Sequence, residues 1–303
     1  MSENPSLMSR RDFHRLMAGS ISAAAFSAVW GRLSPHKAFA DEELILEKRR
    51  MGNIGLKVTA VSFDASRLET TGWSPLQSAL EKGINFIDTS PAYGKSEEII
   101  GENLLNWRDK VMLSTRWLTD GKASPEDLML SFERSMKRLR TKYIDAVIVH
   151  EVKKLDQLKC RGVQAAFNEL RKQQKVGYLG LSLREYQEES GEESPEEIFR
   201  ELFRMSGFDI LILEYSVSNY KTLRSLAEKA GRKGIAVFAS HVTEKNLSQP
   251  SLTKRLIAGK FGQDLFSASI KWVLTENGIC SVLVPLESSE EVDKAVTAAS
   301  VED

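Results

Sequence analysis

The chain has 303 residues, 42% of them apolar, enough for one large buried core or two smaller ones. Lys plus Arg and Asp plus Glu both number 42, so no excess positive charge exists to displace counterions from a nucleic-acid backbone, and no nucleic-acid partner is expected. The two cysteines, Cys160 and Cys280, have no metal-ligand spacing; each sits in an apolar-patterned stretch that reads as a buried thiol, and spacing alone leaves a bridge between them open.

The first forty residues differ in texture from the rest. A basic cluster is followed by Leu16 to Trp30, rich in Ala, Ser and Met and free of charge, and then by Ala38-Phe39-Ala40, the layout of a cleaved export signal. The apolar run is shorter than the roughly twenty residues that span a bilayer, so no stable membrane span is expected in the mature protein. Ser9-Arg10-Arg11-Asp12-Phe13 resembles the motif read by the twin-arginine translocase, with His14 and Arg15 departing from its usual Leu and Lys. This resemblance implies a transient partnership with that translocase, cleavage after Ala40, and a periplasmic location in a Gram-negative source. Residues 1–40 are therefore read as a signal and 41–303 as one domain.

From Val58 onward, short apolar runs alternate with amphipathic, capped stretches, the pattern of repeated βα units around a parallel sheet. Strands are predicted at 58–64, 84–89, 110–116, 143–150, 176–182, 208–215, 235–240 and 280–285, each followed by a helical pattern. Eight such units in this length fit an α/β fold of the (β/α)8 TIM-barrel type, with a doubly wound open sheet as the alternative. Ser124-Pro125-Glu126 and Ser194-Pro195-Glu196 each place a hydroxyl cap before a Pro at the first helical position, and Ser288-Ser289-Glu290-Glu291 opens the last helix similarly.

A barrel of this kind does its chemistry at the carboxyl ends of its strands, which directs attention to Asp88, Tyr93, Arg116 and His150. The segment from Gly83 to Gly94, Gly-Ile-Asn-Phe-Ile-Asp-Thr-Ser-Pro-Ala-Tyr-Gly, followed by Ser96-Glu97 and Gly101, resembles the signature of the aldo-keto reductase family. The opening hairpin from Arg50 to Val58, the run from Tyr143 to His150, and Trp272-Val273-Leu274 extend the likeness over nearly the whole mature chain. The resemblance implies NADP(H)-dependent reduction of a small-molecule aldehyde or ketone. Tyr93 would protonate the carbonyl oxygen, His150 would orient the carbonyl, and Asp88 would pair with the cation that tunes Tyr93. Arg116 stands where the family has lysine, either as a cation that lowers the Tyr93 pKa or as half of a bidentate bridge to Asp88.

The same resemblance maps the cofactor site onto Ser182, Leu183, Ile212, Pro285 and Ser288, with apolar residues in place of two amide ligands and Leu286-Glu287 in place of a phosphate-gripping segment. Asp64 replaces a glycine and Ala295 an asparagine, so weakened cofactor binding is implied. Two alternatives stand beside the reductase: a catalytically lapsed barrel serving as a ligand-binding or accessory protein of the cell envelope, with Leu183, Ile212 and Leu286 as candidates to line an apolar pocket, and metal-assisted hydrolysis by Asp88, His150 and His241. Little sequence is left for long rim loops, which predicts a shallow, open pocket above Tyr93.

Overall fold

A computed structural model describes residues 45–184, 191–217, 219–243, 257, 259–262 and 264–301. The expected signal segment, residues 1–40, lies outside the described residues.

Eight parallel strands close into a barrel: β1 (Val61–Asp64), β2 (Phe86–Asp88), β3 (Met112–Leu118), β4 (Ile144–His150), β5 (Val176–Leu183), β6 (Ile210–Glu214), β7 (Ala236–Ser240) and β8 (Ile279–Val284). The ring shuts where Val282 of β8 pairs with Val61 of β1. The (β/α)8 TIM-barrel reading is correct, and the open-sheet alternative is not. Around the barrel lie α1 (Ser74–Glu81), α2 (Ser96–Asn103), α3 (Pro125–Arg138), α4 (Arg161–Lys172), α5 (Pro195–Arg204), α6 (Tyr220–Arg232), α7 (Leu265–Leu274) and α8 (Ser289–Ala299). Each has one apolar stripe: α3 buries Leu128 and Phe132, α4 buries Val163, Ala166, Phe167 and Leu170, and α6 buries Leu223, Leu226, Ala227 and Ala230. That three-to-four spacing turns one face of each helix to the strands.

The helix starts read from the sequence are made as expected. Ser124 accepts from the Asp127 N–H, Ser194 and Glu197 form a reciprocal capping box, and Ser288 accepts from the Glu291 N–H. None of these described helices is long and apolar enough to cross a membrane.

One predicted strand is corrected. Residues 58–64 do not run as one strand: Lys57–Thr59 pairs antiparallel with Lys48–Arg50 in a hairpin, and only Val61–Asp64 enters the barrel. The corner is fixed because Asn85 Oδ1 accepts from the Thr59 N–H at 2.8 Å, and Thr59 Oγ1 donates to the Val61 carbonyl at 2.7 Å. Two apolar residues of the hairpin, Met51 and Val58, join the barrel interior with Phe86, Met112, Ile148, Ile210, Ile212, Phe238 and Leu283. The hairpin thus floors the barrel, and Phe86 and Phe238 stack within it at 4.5 Å between centroids. Burying each such side chain stabilises the fold by about 1.5–3 kcal/mol.

Strand periodicity of two then decides what stands above this apolar plug. On β2 the residue two beyond Phe86 is Asp88, on β4 the residue two beyond Ile148 is His150, and on β6 the residue two beyond Ile212 is Glu214. Along β3 the same face carries Met112, Ser114 and Arg116, and along β5 it carries Tyr178, Gly180 and Ser182. A polar layer at the carboxyl rim is therefore written into the strands by alternation.

Candidate active site

Asp88 is fully buried at the end of β2, and all of its partners come from β3. Arg116 donates to Oδ2 through both Nε (2.9 Å) and Nη2 (2.6 Å), while Ser114 Oγ donates to Oδ1 at 2.6 Å. The salt bridge considered for this pair is formed through two guanidinium N–H groups, both on one carboxylate oxygen, because Ser114, two residues before Arg116 on the same face, fills the other. Burial pushes the Asp88 carboxyl above the usual carboxylate range, Arg116 pulls against it, and Asp64 adds to the push.

The remaining arm of Arg116 reaches β4. Its Nη1 lies 2.8 Å from His150 Nδ1 and 3.5 Å from Nε2, and Ser182 Oγ lies 2.8 Å from the same Nδ1. Because Nη1 lies off the Nδ1 lone-pair direction, Nδ1 either donates to Ser182 Oγ or accepts from it according to the ring tautomer. Burial, reinforced by Arg116, His241 and Lys153, draws the His150 pKa down to about 3. Nε2 has Glu151 Oε1 at 3.4 Å, too long for a strong hydrogen bond.

Tyr93 is brought over this layer by the turn between β2 and α2. The Tyr93 N–H donates to the Ser90 carbonyl and the Ser96 N–H donates to the Tyr93 carbonyl, both at 3.0 Å. Gly94 follows at φ +54°, where a Cβ would fall on the Glu69 carboxylate. The Arg116 guanidinium carbon lies 5.2 Å from the Tyr93 ring centroid. Burial raises the Tyr93 phenol above its ordinary value, Asp64 adds to the rise, Arg116 opposes it, and Asp88 and Glu151 add further. Arg116 thus pulls the phenol down as one of its two expected roles had it, but desolvation and three carboxylates outweigh one guanidinium already engaged with Asp88, and Tyr93 stays uncharged as the other had it.

Asp88, Tyr93, Arg116, His150 and Ser182 are thus brought together, whereas the other residues mapped to a cofactor are not. Leu183 points to the opposite face of β5 and packs between strands and helices, and Ile212 is buried in the barrel interior. Leu286 is likewise buried, in the outer layer, so Leu183, Ile212 and Leu286 share no apolar pocket. Pro285 is buried past the end of β8. Ser288 is exposed and caps α8, and the neighbouring Glu287 N–H donates to Glu291 Oε2 at 2.9 Å.

His241 is half exposed, 3.6 Å from Glu214 Oε1, and among the described residues no group of three or more His, Cys, Asp or Glu is arranged to hold a metal ion. Two further cavities lie away from the rim. One of about 390 Å3 is lined by Glu98, Arg134, Lys137, Arg138 and Arg140, and one of about 260 Å3 lies beside the floor hairpin. Residues 185–190 and 244–256, which follow β5 and β7 in the sequence, lie outside the described residues. Sequence reasoning missed Ser114 and Glu151; same-face spacing two before Arg116 would have found Ser114, whereas nothing local marks Glu151.

The Aldo/keto reductase family model matches residues 55–259. L-galactose dehydrogenase of Arabidopsis thaliana is 26% identical over 294 residues, covering 84% of this chain and 88% of that protein. An aldo-keto reductase of Bacillus subtilis is 40% identical over 93 residues, 27% of this chain and 28% of its own. In fold, the holo form of an aldo-keto reductase from Bacillus halodurans superposes with a TM-score of 0.68 at 20% identity, over 84% of this chain and 91% of that one.

Proposed function

Since the chain belongs to the aldo/keto reductase family, we propose that it is an oxidoreductase that reduces the carbonyl of a small aldehyde or ketone, with Tyr93 as proton donor. The observation that carries this reading is the bonded series Asp88, Arg116, His150 beneath the Tyr93 ring. A raised phenol keeps its proton through the neutral range, so Tyr93 serves as an acid toward a carbonyl oxygen. His150, neutral over the same range, is the second side chain placed to donate to that oxygen. Arg116 stays charged and passes on no proton, so Tyr93 is reprotonated from solvent.

The family's nicotinamide cofactor would supply the hydride, but the side chains at the positions mapped to it fit it poorly. The Ser182 hydroxyl is committed to His150, Leu183 and Ile212 are packed in the core, and the loop before α8 presents Glu287 and Glu291 where a phosphate would need N–H groups. Two lost amide contacts at about 1–3 kcal/mol each correspond to roughly two to four orders of magnitude in affinity, so NADP(H) is expected to bind weakly. We further propose export by the twin-arginine route, checked by an N-terminus at Asp41 in the protein recovered outside the cytoplasm.

Titration with NADPH and NADH, followed by turnover of a panel of aldehydes, tests the proposal. Tyr93→Phe should lower kcat/KM by about 10²–10⁴ while leaving the melting temperature unchanged. Absence of binding up to millimolar cofactor, or turnover indifferent to Tyr93→Phe, would sink it.

A further inference from the structure

Asp64 ends β1 beside Asp88 of β2, and the two are register partners across that ladder. Alternation turns it inward: Val61 and Phe63 pack in the outer apolar layer, so Asp64 shares the inner face with Asp88 and Arg116. Its Oδ1 accepts from the Ser66 N–H at 2.8 Å and so caps the short turn after β1. Its Oδ2 accepts from no group among the described residues, although Asp64 is only 5% exposed.

Arg116, the cation of this layer, is already engaged. Its Nε and Nη2 donate to Asp88, and its Nη1 lies 2.8 Å from His150 Nδ1, so it gives no hydrogen bond to Asp64. Asp64 still acts through its charge on Asp88, Tyr93 and Arg116, and at the phenol it joins Asp88 and Glu151 against the one guanidinium. The inner layer beneath Tyr93 therefore sets two carboxylates, Asp64 and Asp88, against one guanidinium. A buried carboxylate lacking its own countercharge is costly, and a cleft with low-dielectric walls focuses the field it sends outward.

We infer that Asp64 selects a positively charged substrate, an aldehyde or ketone bearing an ammonium nitrogen that pairs with Asp64 while the carbonyl lies at Tyr93 and His150. Among the described residues no group of three or more His, Cys, Asp or Glu is arranged to hold a metal ion, so the countercharge is an organic nitrogen. That the ligand is a carbonyl compound rests on the carbonyl-reducing reading; the selection of a cation does not.

Choline and 3,3-dimethylbutan-1-ol share one shape and differ by one charge, as do the matching aldehydes, betaine aldehyde and 3,3-dimethylbutanal. Calorimetry on the full chain at low ionic strength should show choline bound about tenfold or more tighter than the neutral alcohol, the worth of one interaction with a charged group. Asp64→Asn keeps an acceptor for the Ser66 N–H and removes the charge, so that ratio should fall to near one. With NADPH, betaine aldehyde should be favoured over its neutral counterpart in kcat/KM by a similar factor, lost in the same variant. No discrimination between the two alcohols by the wild type, binding of neither included, overturns the inference whether or not Asp64→Asn folds. A preference that survives in Asp64→Asn overturns it as well. Preference for choline without turnover of either aldehyde would overturn the carbonyl-reducing reading alone.

Discussion

Replacing Arg116 by Met removes the cation while keeping a side chain of similar reach, and its cost follows from the surroundings of Asp88. The carboxylate is fully buried, and of its three hydrogen bonds two come from Arg116, leaving only Ser114 at 2.6 Å. Breaking a buried pair by removing one partner costs about 3–5 kcal/mol, because the remaining charge is uncompensated. Loss of the opposing Arg116 pull also sends the Asp88 pKa further upward from an already raised position. A group whose folded pKa lies above its unfolded value contributes stability below the unfolded value, about 3.9 for Asp, and loses it as pH rises through the folded value. The deficit of Arg116→Met relative to wild type should therefore be larger at pH 8 than at pH 5. Urea unfolding followed by circular dichroism at both pH values measures it, and the thermal midpoint should drop by roughly 2–4 °C per kcal/mol. Adding Asp88→Asn should recover part of the loss, since the two changes act on one interaction. A deficit under about 1 kcal/mol at pH 8, or one equal at both pH values, would refute the reasoning.

His150, neutral in the fold with a pKa near 3, favours folding above its unfolded pKa of about 6.5 and loses that contribution as pH falls toward 3. His150→Gln should accordingly flatten the stability profile between those values by at most a few kcal/mol, and an unchanged acid limb would contradict the burial of the ring. At the barrel floor, Gly52 has φ +47° and an added Cβ would sit 2.1 Å from the Gly234 carbonyl oxygen. Gly52→Ala should cost on the order of 2–4 kcal/mol in chemical denaturation, and a neutral result would mean the hairpin does not seat against that strand end. Cys280 lies inside the barrel and Cys160 outside it at the start of α4, both free, so reductant should leave the melting temperature unchanged.

The repeat of apolar runs and capped helices was enough to give the barrel, because each βα unit carries its own periodicity and start signals, as at Ser124 and Ser194. The signature around Asp88 and Tyr93 was equally legible, since it occupies one continuous segment. What failed locally was the run 58–64. Its apolar pattern is unbroken, but the corner at Ala60 is made by Asn85, a residue distant in sequence.

The partnerships within the site belong to the same class. Position at the carboxyl ends of predicted strands marked Asp88, Arg116 and His150, the family resemblance marked Ser182, and from the sequence that was the limit. That Arg116 would spend two donors on one Asp88 oxygen and its third on His150, and that Ser182 would face the ring, depends on the stagger of four neighbouring strands around a closed barrel. The sequence alone determined the fold and which residues end the strands, because those follow from spacing along one strand or helix. Only the tertiary structure decided which of the rim groups touch, and hence the direction in which His150 and Tyr93 are shifted, because contact and desolvation are set by neighbours that the chain brings together from far apart.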